Sequence, residues 1–333
     1  MAQAKRSSMA FVTETAVVGN KTITLETGKW AKQAGGSVVV RLGDTMVMVA
    51  ATGSKEPREG LDFFPLTCEY QEKMYAVGKI PGSFFRREGR TTNEEILICR
   101  LMDRPMRPLF PKGCTIDTQI IANTVSFDKE NPADVLAIIG ASAAVHISDL
   151  VFNGPIVGIR IGRIDGQFVA FPTFEERAKS DMDLIVAVSK DAIMMVEGEM
   201  ENMAENVVID ALFYALEASQ PLIAAQERLR EKAGKEKRIF VPPAVDAELQ
   251  AAVKKFAWDR IGAAMSIKEK KARSNAISKA HADVIAEFDG EGRAYVGRRK
   301  ELDAAFSKAS KTWARQHTLS TRTRIDGRKP DEI

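Results

Sequence analysis

The tightest constraint on this chain lies in residues 11–51, where short β-rich runs alternate with glycine. The runs are Phe11-Val-Thr-Glu-Thr-Ala-Val-Val, Lys21-Thr-Ile-Thr-Leu-Glu, Ser37-Val-Val-Val-Arg-Leu and Thr45-Met-Val-Met-Val-Ala-Ala. Gly19-Asn20, Gly35-Gly36 and Gly43-Asp44 separate them. β-Branched residues suit a pleated surface, while Gly, Asn and Asp take the tight turns between antiparallel strands. The pattern predicts an antiparallel meander and excludes an all-helical protein.

Further strands are predicted over 63–75 and 115–127, with an arginine-rich segment, 84–111, between them. A helix is predicted to begin near Asn93 inside that segment. Asn131-Pro132 predicts a second helix over 133–150, because Asn caps free N–H groups and Pro tolerates the first helical position. Strands resume after Gly154-Pro155, over 156–161, 167–171, 183–188 and 193–197. The spacing of Val207, Ala211, Tyr214 and Ala215 predicts one long amphipathic helix over 203–230.

These elements make an α+β domain over 11–240, divided near residue 150, behind a disordered tail at 1–10. Charged residues over 227–237, then Val241-Pro-Pro, mark its end. Beyond it, apolar residues spaced by three or four (Val253, Phe256, Ala257, Ile261; Ile277, Val284, Ile285, Phe288) predict a small all-α module of three or four helices over 241–320. The final stretch, 319–333, ends on Asp331-Glu-Ile without a cap or structural finish and reads as cut rather than completed.

At 333 residues, 45% hydrophobic and 28% charged, the chain has the composition of a folded globular protein. Its three cysteines, Cys68, Cys99 and Cys114, lack C-x-x-C spacing, which argues against disulfides or zinc and makes the cytoplasm the expected location. No run approaches the ~18 apolar residues that span a bilayer, so no membrane association is expected. With 48 basic and 45 acidic side chains, any case for nucleic acid rests on where the charges sit. His146, His281 and His317 lack neighbours at metal-ligand spacing, and no Walker-type phosphate loop occurs.

The charges concentrate in two places. Gly78-Lys-Ile-Pro-Gly-Ser-Phe-Phe-Arg-Arg-Glu-Gly-Arg puts Phe84 and Phe85 beside Arg86, Arg87 and Arg90 in a Gly/Pro-rich loop. Rings that stack on bases and guanidinium forks that neutralise phosphates grip single-stranded nucleic acid, although the same residues could be core anchors and a solvated face. Next, Arg100, Arg104 and Arg107 recur every three or four residues. They form either a basic rim or ion pairs with Glu94, Glu95 and Asp103.

Taken together, Gly82-Ser-Phe-Phe-Arg-Arg-Glu-Gly-Arg, Arg100-Leu-Met-Asp-Arg-Pro-Met-Arg-Pro-Leu-Phe, Asn131-Pro-Ala-Asp, Gly140-Ala-Ser, Asn153-Gly-Pro and Ser180-Asp-Met-Asp closely resemble the first core domain of the polynucleotide phosphorylase family. The resemblance covers residues 11–230. It implies a ribonuclease PH-like fold of the ribosomal protein S5 domain 2-like kind, followed by a helical linker domain. Arg324-Ile-Asp-Gly-Arg resembles the opening of the family's second ribonuclease PH-like domain, so the chain is expected to stop just inside it.

The resemblance implies a phosphorolytic 3′→5′ exoribonuclease of mRNA turnover. Inorganic phosphate attacks the last 3′ phosphodiester of RNA and releases nucleoside diphosphates reversibly, with Mg2+ assisting. It further implies a homotrimeric ring whose Phe-Phe-Arg-Arg loops thread single-stranded RNA, and partners in an RNA-degradation complex. The phosphate loop and the Asp-x5-Asp-x-Lys pattern belong to the family's second core domain. Here the matching positions are Asn131–Asp134, Arg177, Asp183 and Ile185, which lack the hydroxyls, the first acid and the lysine. The resemblance therefore implies a degenerate site, with Asp183 and Asp181 as relics rather than metal ligands. The catalytic residues and Mg2+ are expected in the second core domain. The RNA-binding set is Phe84, Phe85, Arg86, Arg87, Arg90, Arg100, Arg104 and Arg107. Alternatives are a non-catalytic, ring-forming RNA-binding subunit that works with a catalytic partner, and an assembly scaffold whose arginines are ordinary surface.

Overall fold

The computed structural model describes residues 11–332 apart from 59, 60, 62, 83 and 243. The expected tail over 1–10 and the terminal Ile333 lie outside the described residues. The backbone forms two compact units, Met1–Pro242 and Pro243–Ile333.

The first unit opens on the meander. Strands β1 (Val12–Val18), β2 (Lys21–Thr27), β3 (Gly36–Leu42) and β4 (Thr45–Pro57) pair antiparallel in sequence order. Buried residues alternate along β1 and β2, the period of a sheet with one covered face. β5 (Leu66–Glu72) is shorter than predicted, and it pairs parallel to β6 (Ile116–Ser126), which itself pairs antiparallel to β4. Parallel neighbours need a crossover. Helix α1 (Asn93–Met106) lies within that crossover, so the arginine-rich segment is suspended between the two strands.

Helix α2 (Asp134–Ile147) is buried along nearly its whole length. It packs on β3, β4 and β6 of the first sheet and on β7 (Val157–Ile164) of the second. An apolar circumference suits a helix covered on both sides. Two glycines set the approach. A Cβ at Gly36 would sit 2.1 Å from the Ala144 carbonyl oxygen, and one at Gly158 would sit 2.7 Å from Ile138. The second sheet runs β10–β9–β7–β8, all antiparallel, with β8 (Gln167–Ala170), β9 (Met182–Val188) and β10 (Ile193–Met200), and the one-turn helix α3 (Phe174–Arg177) links β8 to β9.

Two helix predictions are corrected. Ala133, not Asn131, occupies the cap position of α2 and contributes no side-chain cap. The Asn131 amide instead donates to Asp128 Oδ2 at 2.7 Å, while Asp128 Oδ1 accepts the backbone N–H groups of Glu130 and Asn131. A local carboxylate thus outcompetes the helix for the cap residue. The long helix over 203–230 is two helices, α4 (Glu205–Ala218) and α5 (Gln220–Ala233). They part at Ser219, whose hydroxyl donates to the Ala215 carbonyl, just before Pro221, which has no N–H for the ladder.

This stretch also corrects the expectation that no run approaches a bilayer span. By length and composition alone Glu205–Ala233 passes for a bilayer-crossing stretch, its most apolar 18-residue window having a mean hydropathy of 1.4. In the fold, Leu222, Ile223, Ala225 and Leu229 belong to the domain core, and Arg228 and Lys232 bind the buried carboxylate of Glu14.

The second unit holds α6 (Ala247–Met265), α7 (Lys270–Phe288) and α8 (Arg299–Thr321) around Leu249, Val253, Ala257, Ile261, Val284, Leu302 and Phe306.

Candidate nucleic-acid interface

The polypeptide leaves β5, makes a 3-10 turn at Met74–Val77 and closes it with Gly78 at φ +69°. It then runs as a loop to Thr92. That threonine caps α1: its Oγ1 accepts the Glu95 N–H at 3.1 Å, and Glu95 Oε2 accepts the Thr92 N–H at 2.6 Å. A capping box with Glu94 and Glu95 in the first turn explains why the helix starts at Asn93.

Phe84 and Phe85 stand at the loop's tip, 93% and 72% exposed. That exposure rules out core anchoring and forgoes about 2 kcal/mol of burial for each ring. The rings meet edge to face with centroids 5.4 Å apart, and the Arg87 guanidinium lies 5.7 Å from the Phe85 centroid. Arg86 has a left-handed backbone at φ +52°. Among the described residues, no carboxylate pairs with Arg86, Arg87 or Arg90. A groove of about 530 Å3 under the loop is lined by Met74, Phe85, Arg87, Glu88, Arg90 and Glu95. Ser83 lies outside the described residues.

The second arginine cluster is divided by its partners. Arg107 follows α1 in a 3-10 turn. It holds Asp103 with two nitrogens at 3.1 and 2.7 Å and donates to the carbonyls of Phe64 and Leu66. It therefore fastens the entry of β5. Arg104 pairs with Glu197 of β10. Arg100 makes no ion pair among the described residues and lines a groove of about 470 Å3 with Arg104, Leu97, Ile185 and Glu199. Glu95 serves backbone N–H groups rather than the arginines.

The structure brings Asp134, Arg177 and Asp183 together through a residue that the sequence had not flagged. Arg160, on β7, donates to Asp134 and to Asp183, and Arg177 reaches Asp183 at 2.7 Å. The Arg160 side chain is 7% exposed. Burial opposes its charge, but Asp134 and Asp183 outweigh that cost and hold the guanidinium above its usual value. Arg160 Nε and Arg177 Nε are buried with no acceptor among the described residues, while Asp134, Asp183 and Arg177 are partly exposed. Asp181 pairs separately with Arg163 at 3.0 Å, and Ile185 is buried. Two arginines neutralise two aspartates, so this donor set does not fit a divalent cation or an incoming phosphate. The available signal was a lone arginine among the inward-facing residues of β7.

Family models match three segments. Residues 19–150 match domain 1 of the 3′ exoribonuclease family, and 154–218 match its domain 2. Residues 248–329 match the RNA binding domain of polyribonucleotide nucleotidyltransferase. Among curated proteins named polyribonucleotide nucleotidyltransferase, that of Geotalea uraniireducens is 50% identical over 95% of this chain and 45% of its own length. The Anaeromyxobacter dehalogenans strain 2CP-1 protein is 47% identical over 98% and 46%, and that of Sorangium cellulosum is 49% identical over 96% and 42%. The chain thus spans about half the length of the curated relatives it matches. The crystal structure of rice Rrp46 superposes with a TM-score of 0.50 at 14% identity, over 68% of this chain and 98% of that one, a likeness of fold.

Proposed function

Since the chain belongs to the 3′ exoribonuclease family and carries both of that family's domains with the RNA-binding domain of polyribonucleotide nucleotidyltransferase, we propose that it is the RNA-guiding portion of a phosphorolytic 3′→5′ exoribonuclease. One observation carries this reading. The only cations singled out from the sequence that stand free of carboxylates among the described residues, Arg86, Arg87, Arg90 and Arg100, include the three beside the two most exposed phenylalanines. Such a tip stacks on bases of any sequence and binds phosphates by charge, as a threading element requires.

The chemistry is assigned elsewhere. Phosphorolysis joins inorganic phosphate to the terminal nucleotide's phosphorus and leaves the shortened RNA with a free 3′-hydroxyl. That needs cationic and hydroxyl groups around phosphate, and carboxylates free to hold Mg2+. The Asp134–Arg160–Asp183–Arg177 network offers neither. Mg2+ and phosphate are therefore taken to act in a second core domain of the full-length enzyme, which we propose to be a cytoplasmic homotrimer in contact with other RNA-degrading proteins. The filled network equally favours the alternative of a non-catalytic ring subunit paired with a catalytic partner.

The test is to incubate the purified chain with labelled oligo(A), Mg2+ and phosphate and to follow both binding and ADP release. Retained binding without phosphate-dependent release is expected. ADP release at an enzymatic rate would overturn the assignment of chemistry elsewhere, and absence of binding would overturn the guiding role.

A further inference from the structure

We propose that Glu88 and Glu95 are positioning residues that clasp the RNA-gripping loop, Glu95 accepting one backbone N–H from each limb and Glu88, on the far limb, accepting one from the near limb; this rests on the proposed role of that loop. Glu95 is 8% exposed, and neither carboxylate oxygen faces an arginine partner. Oε1 accepts the N–H of Glu72, the last residue of β5, at 2.9 Å, and Oε2 accepts that of Thr92 at 2.6 Å. One buried carboxylate therefore pins both ends of the excursion over 73–91.

Glu88 makes the second clasp. Its Oε1 accepts the N–H of Met74 at 3.0 Å. Met74 opens the 3-10 turn, where Lys73 supplies no side-chain cap. Such a first-turn N–H has no partner of its own, so Glu88 fills the vacancy from the far limb. Inside the Glu88 clasp, between Met74 and Glu88, lie both rings and Arg86, whose left-handed backbone is a conformation that a loop keeps only when its surroundings fix it. A compact loop tied at its base presents its side chains with little ordering left to do on binding.

The sign of the charge makes the proposal testable. Glu88 sits next to the phosphate-binding arginines, so as a bare charge it opposes RNA. As a clasp it favours RNA. Charge removal alone would make Glu88→Ala and Glu88→Gln both bind more tightly. The clasp separates them, because Gln keeps the acceptor oxygen and Ala does not.

The experiment is oligo(A) affinity by fluorescence anisotropy at fixed salt for Glu88→Ala, Glu88→Gln and the double variant Arg86→Ala/Arg87→Ala, together with amide hydrogen exchange of the segment around Met74. Glu88→Ala is expected to bind about fivefold more weakly, the worth of one net hydrogen bond. Glu88→Gln should bind at least as well as the parent. Exchange at Met74 should quicken in Ala and hold in Gln. Equal or tighter binding by Glu88→Ala while the arginine double variant loses RNA would overturn the clasp and leave the loop's role standing. Unchanged binding by the double variant would overturn the loop's role itself, and the clasp's function with it.

Discussion

Replacing Arg160 with methionine asks whether the degenerate site is a closed structural network. The guanidinium is 7% exposed and is the cation that reaches both Asp134, 16% exposed, and Asp183, 24% exposed. In Arg160→Met, Asp183 keeps Arg177 at 2.7 Å, but Asp134 keeps no cation among the described residues. Removing one partner of a buried pair costs about 3–5 kcal/mol, because the other charge stays buried and uncompensated. One aspartate retains a partner and both touch solvent, so the low end, about 3 kcal/mol, is expected. For a domain of this size each kcal/mol moves the midpoint by about 2–4 °C, which gives a loss of about 6–12 °C. The assay is thermal and urea unfolding followed by far-ultraviolet circular dichroism, with the urea slope checked for constancy. Neutralising the stranded acid in Asp134→Asn/Arg160→Met should recover at least half of the loss. High salt should change little, since buried pairs are weakly screened. A cost below about 1 kcal/mol for Arg160→Met would place the network in the class of solvated surface pairs. It would refute the reasoning that these four charges are committed to one another.

Other consequences are equally direct. Arg86→Ala/Arg87→Ala should flatten the plot of log affinity against log salt by about 1.4, two phosphate contacts at about 0.7 each for single strands, as measured by anisotropy titrations between 50 and 200 mM salt. Gly36→Ala should cost about 3 kcal/mol in urea unfolding, because its Cβ meets a backbone oxygen of α2 that cannot swing aside. His146 is buried and donates from Nε2 to Glu227 at 3.1 Å; burial, with Arg230 and Lys237 nearby, holds its pKa below the ordinary 6.5 despite the opposing pull of Glu227. The unfolded chain then takes up the proton first, so this stability is complete above about pH 6.5 and is lost as the pH falls below it. His146→Leu should remove that part of the slope in unfolding free energy measured from pH 7 to pH 5.

What the sequence determined is the part of the molecule written in local periods and local chemistry. Alternation and glycine turns set β1 to β4, three- and four-residue spacing set α6 to α8, and Thr92 with Glu95 set the first turn of α1. The loop's two phenylalanines and three arginines were also legible, since a Gly/Pro-rich segment has no period of its own to bury them. Tertiary structure decided the rest. Asn131 lost its capping role to Asp128, Ser219 split a helix whose apolar spacing ran on unbroken, and β5 came to lie parallel to β6. Of three arginines spaced by four and then three residues, Arg107 went to Asp103 and two carbonyls, Arg104 went to Glu197, and Arg100 has no ion-pair partner among the described residues. Asp134 and Asp183 were visible as residues, but Arg160 became their partner only when β7 packed between α2 and β9. A side chain's own spacing can say which face it takes, whereas its partner is set by whichever distant strand or helix the core brings against that face.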